Sequence, residues 1–107
     1  MFEATFNGQR CRVDILRYRV NDRLAIRLID AHNYAPVATA TVNIPTVELM
    51  PKHVAIKDHD ENEGVLLALI RAGIVGHPVM EIVSESAGRP RAVFPVCEIL
   101  VDVPTIH

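Results

Sequence analysis

The chain has no tryptophan, only five Phe and Tyr residues, two cysteines and five glycines in 107 residues. Each scarcity excludes something. Single-strand nucleic-acid binders stack bases on interleaved aromatics, and there are too few here for such a platform. Cys11 and Cys97 are too few for a disulfide scaffold or a four-cysteine zinc site. They read as buried thiols of a reducing compartment, and a bridge between them depends on whether their strands are neighbours. The glycines fall in neither a phosphate loop nor a dinucleotide fingerprint, and there is no Gly-x-Ser-x-Gly. No apolar run approaches the ~20 residues of a membrane span. The start, Met1 to Phe6, lacks the basic and apolar regions of a secretion signal. A cytoplasmic protein without a membrane partner is expected, from a bacterium or a phage that infects one.

What is present is apolar residues, at 50%, with charged residues at 22%. That is a globular composition, and 107 residues suit a single domain spanning 1–107. The net charge of −2 is too small to argue for nucleic acid. Its distribution is uneven. Residues 1–54 hold seven Lys/Arg against five Asp/Glu, and residues 55–107 hold four against eight.

Alternation and turn chemistry predict an α+β fold, an antiparallel sheet of six or seven strands with one helix packed on a face. Asn7-Gly8 is a strong two-residue hairpin signal after a strand over 2–6. A strand over 9–20 carries two apolar sets out of phase, Cys11, Val13, Ile15 and then Leu16, Tyr18, Val20. A bulge or a strong twist is expected between Ile15 and Leu16. A loop of Asn21, Asp22 and Arg23 would pair Val20 with Leu24, Tyr18 with Ile26 and Leu16 with Leu28. That register puts Arg17, Arg19 and Arg27 together on the opposite face. One strand is expected over 36–44, its small residues letting the helix pack closely. Further strands are expected over 53–57, 79–84 and 91–101, the last two joined around Ser86 to Pro90. Pro95 argues for an edge position or a bulge. The helix is expected over 61–72, stopped by Gly73.

The densest chemistry is Asp58-His59-Asp60-Glu61-Asn62-Glu63, four carboxylates in six residues. Asp58-x-Asp60-x-Asn62 matches the opening of a calcium loop, but Glu63 stands where that loop needs Gly and Leu69 where it needs Glu. Magnesium or manganese could use two carboxylates, yet no remote ligand is evident. Paired acid/base chemistry would need a pocket that nothing in the sequence indicates. A helix cap fits the spacing, with Asp60 at the N-cap and Glu63 three residues on. Asp58 and Glu61 are then left to meet a partner. The five histidines lack metal-ligand spacing, so no metal or cofactor is expected. Cys11 and Cys97 sit in apolar strands and do not read as nucleophiles.

The chain resembles a domain-of-unknown-function family of short proteins carried by phages, plasmids and integrated elements. The resemblance rests on Ala4-Thr5-Phe6-Asn7-Gly8, Ala38-Thr39-Ala40-Thr41-Val42-Asn43-Ile44-Pro45, Ile56-Lys57-Asp58, Glu61-Asn62-Glu63-Gly64, Ala72-Gly73-Ile74-Val75 and Phe94-Pro95-Val96-Cys97. These cover nearly the whole chain in family order. Ser is usual in the family where Asp60 stands here, and residues 76–91 depart most. Relatives are linked to anti-CRISPR inhibition. The resemblance implies a non-catalytic accessory protein of a mobile element that binds a host protein such as a CRISPR effector nuclease. No binding residue carries over from it. The surfaces expected to make contact are the arginine face (Arg17, Arg19, Arg27) and the acidic loop (Asp58, Glu61). The alternative is a nucleic-acid-binding module that uses the same arginines. An exposed edge strand is also compatible with a homodimer.

Overall fold

The computed structural model describes residues 2–84 and 91–104. Two four-stranded antiparallel sheets replace the single sheet expected from the sequence. The first runs in the order β1 (Phe2–Phe6), β2 (Gln9–Arg17), β3 (Leu24–Asp30), β4 (Pro36–Thr39). The second runs β5 (Thr41–Val42), β6 (His53–Ile56), β8 (Ala92–Glu98), β7 (Met80–Ser84). A short helix, α1 (Val65–Arg71), follows a 3-10 turn at Asp60–Asn62. The α+β class and its antiparallel pairing are as expected.

The division falls at Ala40, in the middle of the expected strand over 36–44. Its N–H donates to the Ile26 carbonyl of β3 (2.8 Å), while its own carbonyl accepts from Lys57 N–H beyond β6 (2.8 Å). One residue thus hands the chain from one sheet to the other. Ala40 is fully buried. Thr41 makes good the ladder bond that β3 loses there. Its hydroxyl oxygen accepts from Ile26 N–H (3.2 Å) and shares a hydrogen bond with the Tyr18 hydroxyl (3.1 Å). The small residues here therefore serve the crossing between sheets. The helix instead leans on β1, with Gly64 facing the Phe6 ring.

The β1–β2 hairpin closes on Asn7 (φ 52°) and Gly8 (φ 74°), two left-handed residues in succession as a type I′ turn requires. The β2–β3 register differs from the expected one. Leu28 lies opposite Val13 and Ile26 opposite Ile15, three residues from Leu16 and Tyr18. Cys11, Val13 and Ile15 are therefore the core-facing set. Leu16 turns outward, opposite Ala25. The connecting loop is longer than expected, with Tyr18 N–H donating to Arg23 O and Asp22 N–H to Tyr18 O. β2 pairs with β3 without interruption from Cys11 to Arg17, so the bulge expected at Ile15/Leu16 is absent. The irregularity falls between Leu28 and Ile29, against β4.

The helix is shorter than expected because it begins only after Gly64, whose φ of 93° is left-handed and cannot lie within it. Its end follows the expectation. Gly73 (φ 74°) donates to Ile70 O and Ile74 N–H to Leu69 O, the paired bonds of a Schellman stop. Leu69 and Ile74 are buried together beneath it. Val65, Ala68 and Leu69 are its buried residues, joining a core with Ile26, Leu28, Val54, Ile56 and Cys97 from both sheets. A smaller cluster, Ala55, Ile82 and Val96, lies on the other face of the second sheet under Ile44, Val47 and Leu49.

β8 lies inside its sheet, so Pro95 is not in an outer strand. The β6 ladder nevertheless ends at Ala55↔Val96, and Pro95 sits just past the loss of that neighbour, where a missing N–H is tolerated. The turn expected at Ser86 to Pro90 lies outside the described residues.

Candidate functional site

The acidic turn follows β6 and precedes α1. Its carboxylates have different tasks from those the spacing suggested. Asp58 Oδ1 accepts from the backbone N–H of Gly64 and of Leu66, each at 3.1 Å. Asp58 therefore satisfies donors at the helix start that would otherwise be open. Asp60 caps nothing with its side chain. It opens the 3-10 turn at φ 54°, and its carbonyl accepts from Glu63 N–H (3.2 Å). Asp is among the few residues that tolerate this left-handed conformation.

Glu61 accepts from Lys57 Nζ at 2.6 Å, four residues back. That hydrogen bond is the main cause holding the Glu61 carboxyl below its ordinary range, and it raises the Lys57 ammonium. Asn62 is buried, and its side-chain amide donates to Thr39 O at 2.7 Å, tying the turn to the sheet crossing. Asp60 and Glu63 are left pointing outward with no hydrogen-bond partner for either carboxylate among the described residues. This reverses the expected division, in which Asp58 and Glu61 were free.

The arginines are not brought together. Arg17 points along the core-facing side of β2 and donates to Pro104 O (3.0 Å) and Asp22 O (2.7 Å), fastening residues 101–104 to the sheet. Arg27 lies on the opposite face, cross-strand from Asp14 and paired with it at 3.2 Å. Arg12 shares the same carboxylate at 3.1 Å. Arg19 is exposed in the β2–β3 loop. The joint face depended on a register shifted by three residues. An odd shift reverses which side each β2 residue faces.

The acidic turn borders an open cleft of about 630 Å³ lined by Asp58, His59, Asp60, Arg91, Val93 and Pro95. Its far wall is β8, which β7 flanks on the other side. There Val83 and Val93 stand directly opposite each other and remain 44% and 41% exposed. Glu81 and Pro95 form the next pair. The His59 ring leans on Phe94 with centroids 5.4 Å apart, holding the turn against β8. The result is a pair of exposed β-branched side chains beside an imidazole and a free carboxylate. Sequence reading missed it because the hairpin and the turn are over twenty residues apart in the chain. Its signal was the repeated valine in residues 79–96 without a balancing polar face.

Cys11 and Cys97 are both buried and free. Burial, and secondarily the Asp58 charge, push the Cys97 thiol up to about 11. Burial and then Asp30 raise Cys11. Neither is poised as a nucleophile. Among the described residues no three His, Cys, Asp or Glu side chains are grouped to hold a metal ion. Nor, among them, is any helix long and apolar enough to cross a membrane. No protein-family model, curated protein or solved structure matches the chain significantly.

Proposed function

We propose that this chain is a non-catalytic protein-binding domain that docks through the acidic turn and the apolar face of the β7–β8 hairpin. The observation that carries this reading is the exposed Val83–Val93 pair beside Asp60. Desolvating such a pair contributes affinity, and a charged rim sets orientation and choice of partner. The turn side of the rim is acidic, with Asp60 and Glu63 exposed, while Arg91 lines the hairpin side. A basic, partly apolar partner surface fits it.

The family resemblance extends this to a mobile-element protein that restrains a CRISPR effector. Such effectors hold their heteroduplex in a positively charged channel, a surface that an acidic rim complements. The nucleic-acid alternative has less support, because Arg17 and Arg27 lie on opposite faces and Arg27 is ion-paired with Asp14. Titrating the purified protein into a target-cleavage reaction of a host effector complex tests the proposal. Stoichiometric loss of cleavage supports it. Undiminished cleavage at excess protein, or steeply salt-dependent binding to DNA or RNA alone, counts against it.

A further inference from the structure

A second surface meets the acidic turn only at Gly64. β1 and α1 bound an open groove of about 510 Å³. β1 is outermost in its sheet, so among the described residues no strand pairs with its outer side. The two-residue Asn7-Gly8 turn makes Phe6↔Gln9 a hydrogen-bonded pair, and Ala4↔Cys11 repeats it two residues on. The backbone N–H and C=O of Glu3 and Thr5 therefore point away from β2, toward the groove. The helix supplies the opposite wall through Leu67, half exposed at 50%, and Ala68.

Two cations line this groove. Arg10 stands cross-strand from Thr5, and Arg71 belongs to the last turn of the helix. Neither guanidinium has an ion-pair partner among the described residues. Glu3 is the one carboxylate among the described residues lining it.

We propose that this groove docks an extended, acidic segment of another protein as a fifth strand on β1. The segment's main chain supplies partners for the open groups of Glu3 and Thr5, and alternate apolar residues settle on Leu67 and Ala68. Its carboxylates meet Arg10 and Arg71, where bidentate pairing is available. A basic segment would face two unpaired guanidiniums. A second copy paired β1 to β1 would bring four guanidiniums into one interface against two Glu3 carboxylates.

The test is a titration of the ¹⁵N-labelled protein with a short peptide alternating glutamate and valine, and separately with its lysine–valine counterpart. The expected result is saturable shifts at the Glu3 and Thr5 amides with the glutamate peptide alone. Arg10→Glu with Arg71→Glu should weaken that binding about tenfold or more. Both arginines are exposed, so circular dichroism should show the double variant folded, its melting temperature lowered only by the charge reversal at the helix C-terminus. Four results would overturn the proposal. They are absence of saturable shifts, equal binding of both peptides, an unaltered affinity in the folded double variant, or a peptide-free dimer whose Glu3 and Thr5 amides are already protected from exchange.

Discussion

The Asp58 carboxylate accepts the backbone N–H of Leu66 at 3.1 Å, reaching eight residues forward over the whole 3-10 turn. The same oxygen takes the N–H of Gly64. One side chain thus sets where the helix begins and leaves the carboxylates between to point outward. Asp58 commits one carboxylate oxygen to the helix start, and Asp60 and Glu63 supply the turn's outward charge.

Replacing Asp58 by Ala opens two backbone donors and should cost about 1–2 kcal/mol, the range of a lost helix cap. Asp60→Asn removes no hydrogen bond made by its side chain, keeps a residue that tolerates the left-handed φ of 54°, and should change stability by no more than about 0.5 kcal/mol. Urea denaturation of both variants measures the contrast. Equal losses would contradict the assignment of the cap to Asp58.

The two helix boundaries rest on left-handed glycines. A Cβ on Gly73 meets nothing within 4 Å, so Gly73→Ala tests backbone strain without a packing change. A loss of about 1 kcal/mol is expected, with Gly73→Asn costing less because Asn tolerates positive φ. Thermal melts of the two variants distinguish this from a site where any side chain is equally accepted.

How far these features were legible in the sequence varied with how local their causes are. Asn7-Gly8 and Gly73 act on their own backbone, and both took the expected roles. Gly64 carried the same kind of signal, but carboxylates at helical spacing masked it. The β2–β3 register depended on a third strand. Two apolar sets in β2 compete for the core. Cys11–Val13–Ile15 wins because β1 sets Ala4 against Cys11 and Phe2 against Val13, extending that face across three strands. Leu16 is left 38% exposed. The split at Ala40 was not legible, because alternation runs unbroken through 36–44 whichever sheet accepts each half. The cleft arises only when β7–β8 and the acidic turn meet through His59 and Phe94.

Burial, with the Asp58 charge second, pushes the Cys97 thiol up to about 11, and both thiols are buried. At pH 8 Cys97 is held as the unreactive thiol. Ellman's reagent should therefore react with neither cysteine on the timescale of a free thiol, and with both in guanidinium chloride. Rapid reaction of either thiol in the folded protein would contradict the core placement.

Acid should loosen the β3–β4 turn. The Asp30 carboxyl lies below its ordinary 3.8, chiefly because it accepts Asn33 N–H, then through Gln9 and His32 N–H. Glu61 lies below its ordinary 4.5 through Lys57. A carboxyl depressed by folding stabilises the native state above its unfolded value, and that contribution is lost as pH falls through the folded value. Urea midpoints should thus hold steady near neutrality and fall below about pH 4.5. Asp30→Asn keeps an acceptor for the two N–H groups and should flatten the acid limb. An unchanged limb would remove Asp30 as a contributor.

The most direct measurement is the protein concentration that halves target cleavage by the host effector, compared among the parent chain, Val93→Lys with Asp60→Lys, and Arg17→Glu with Arg19→Glu. If the acidic turn and the β7–β8 face make the contact, the first pair raises that concentration at least about tenfold while the second leaves it within about twofold. The reverse order, or equal inhibition by all three proteins, would contradict the account.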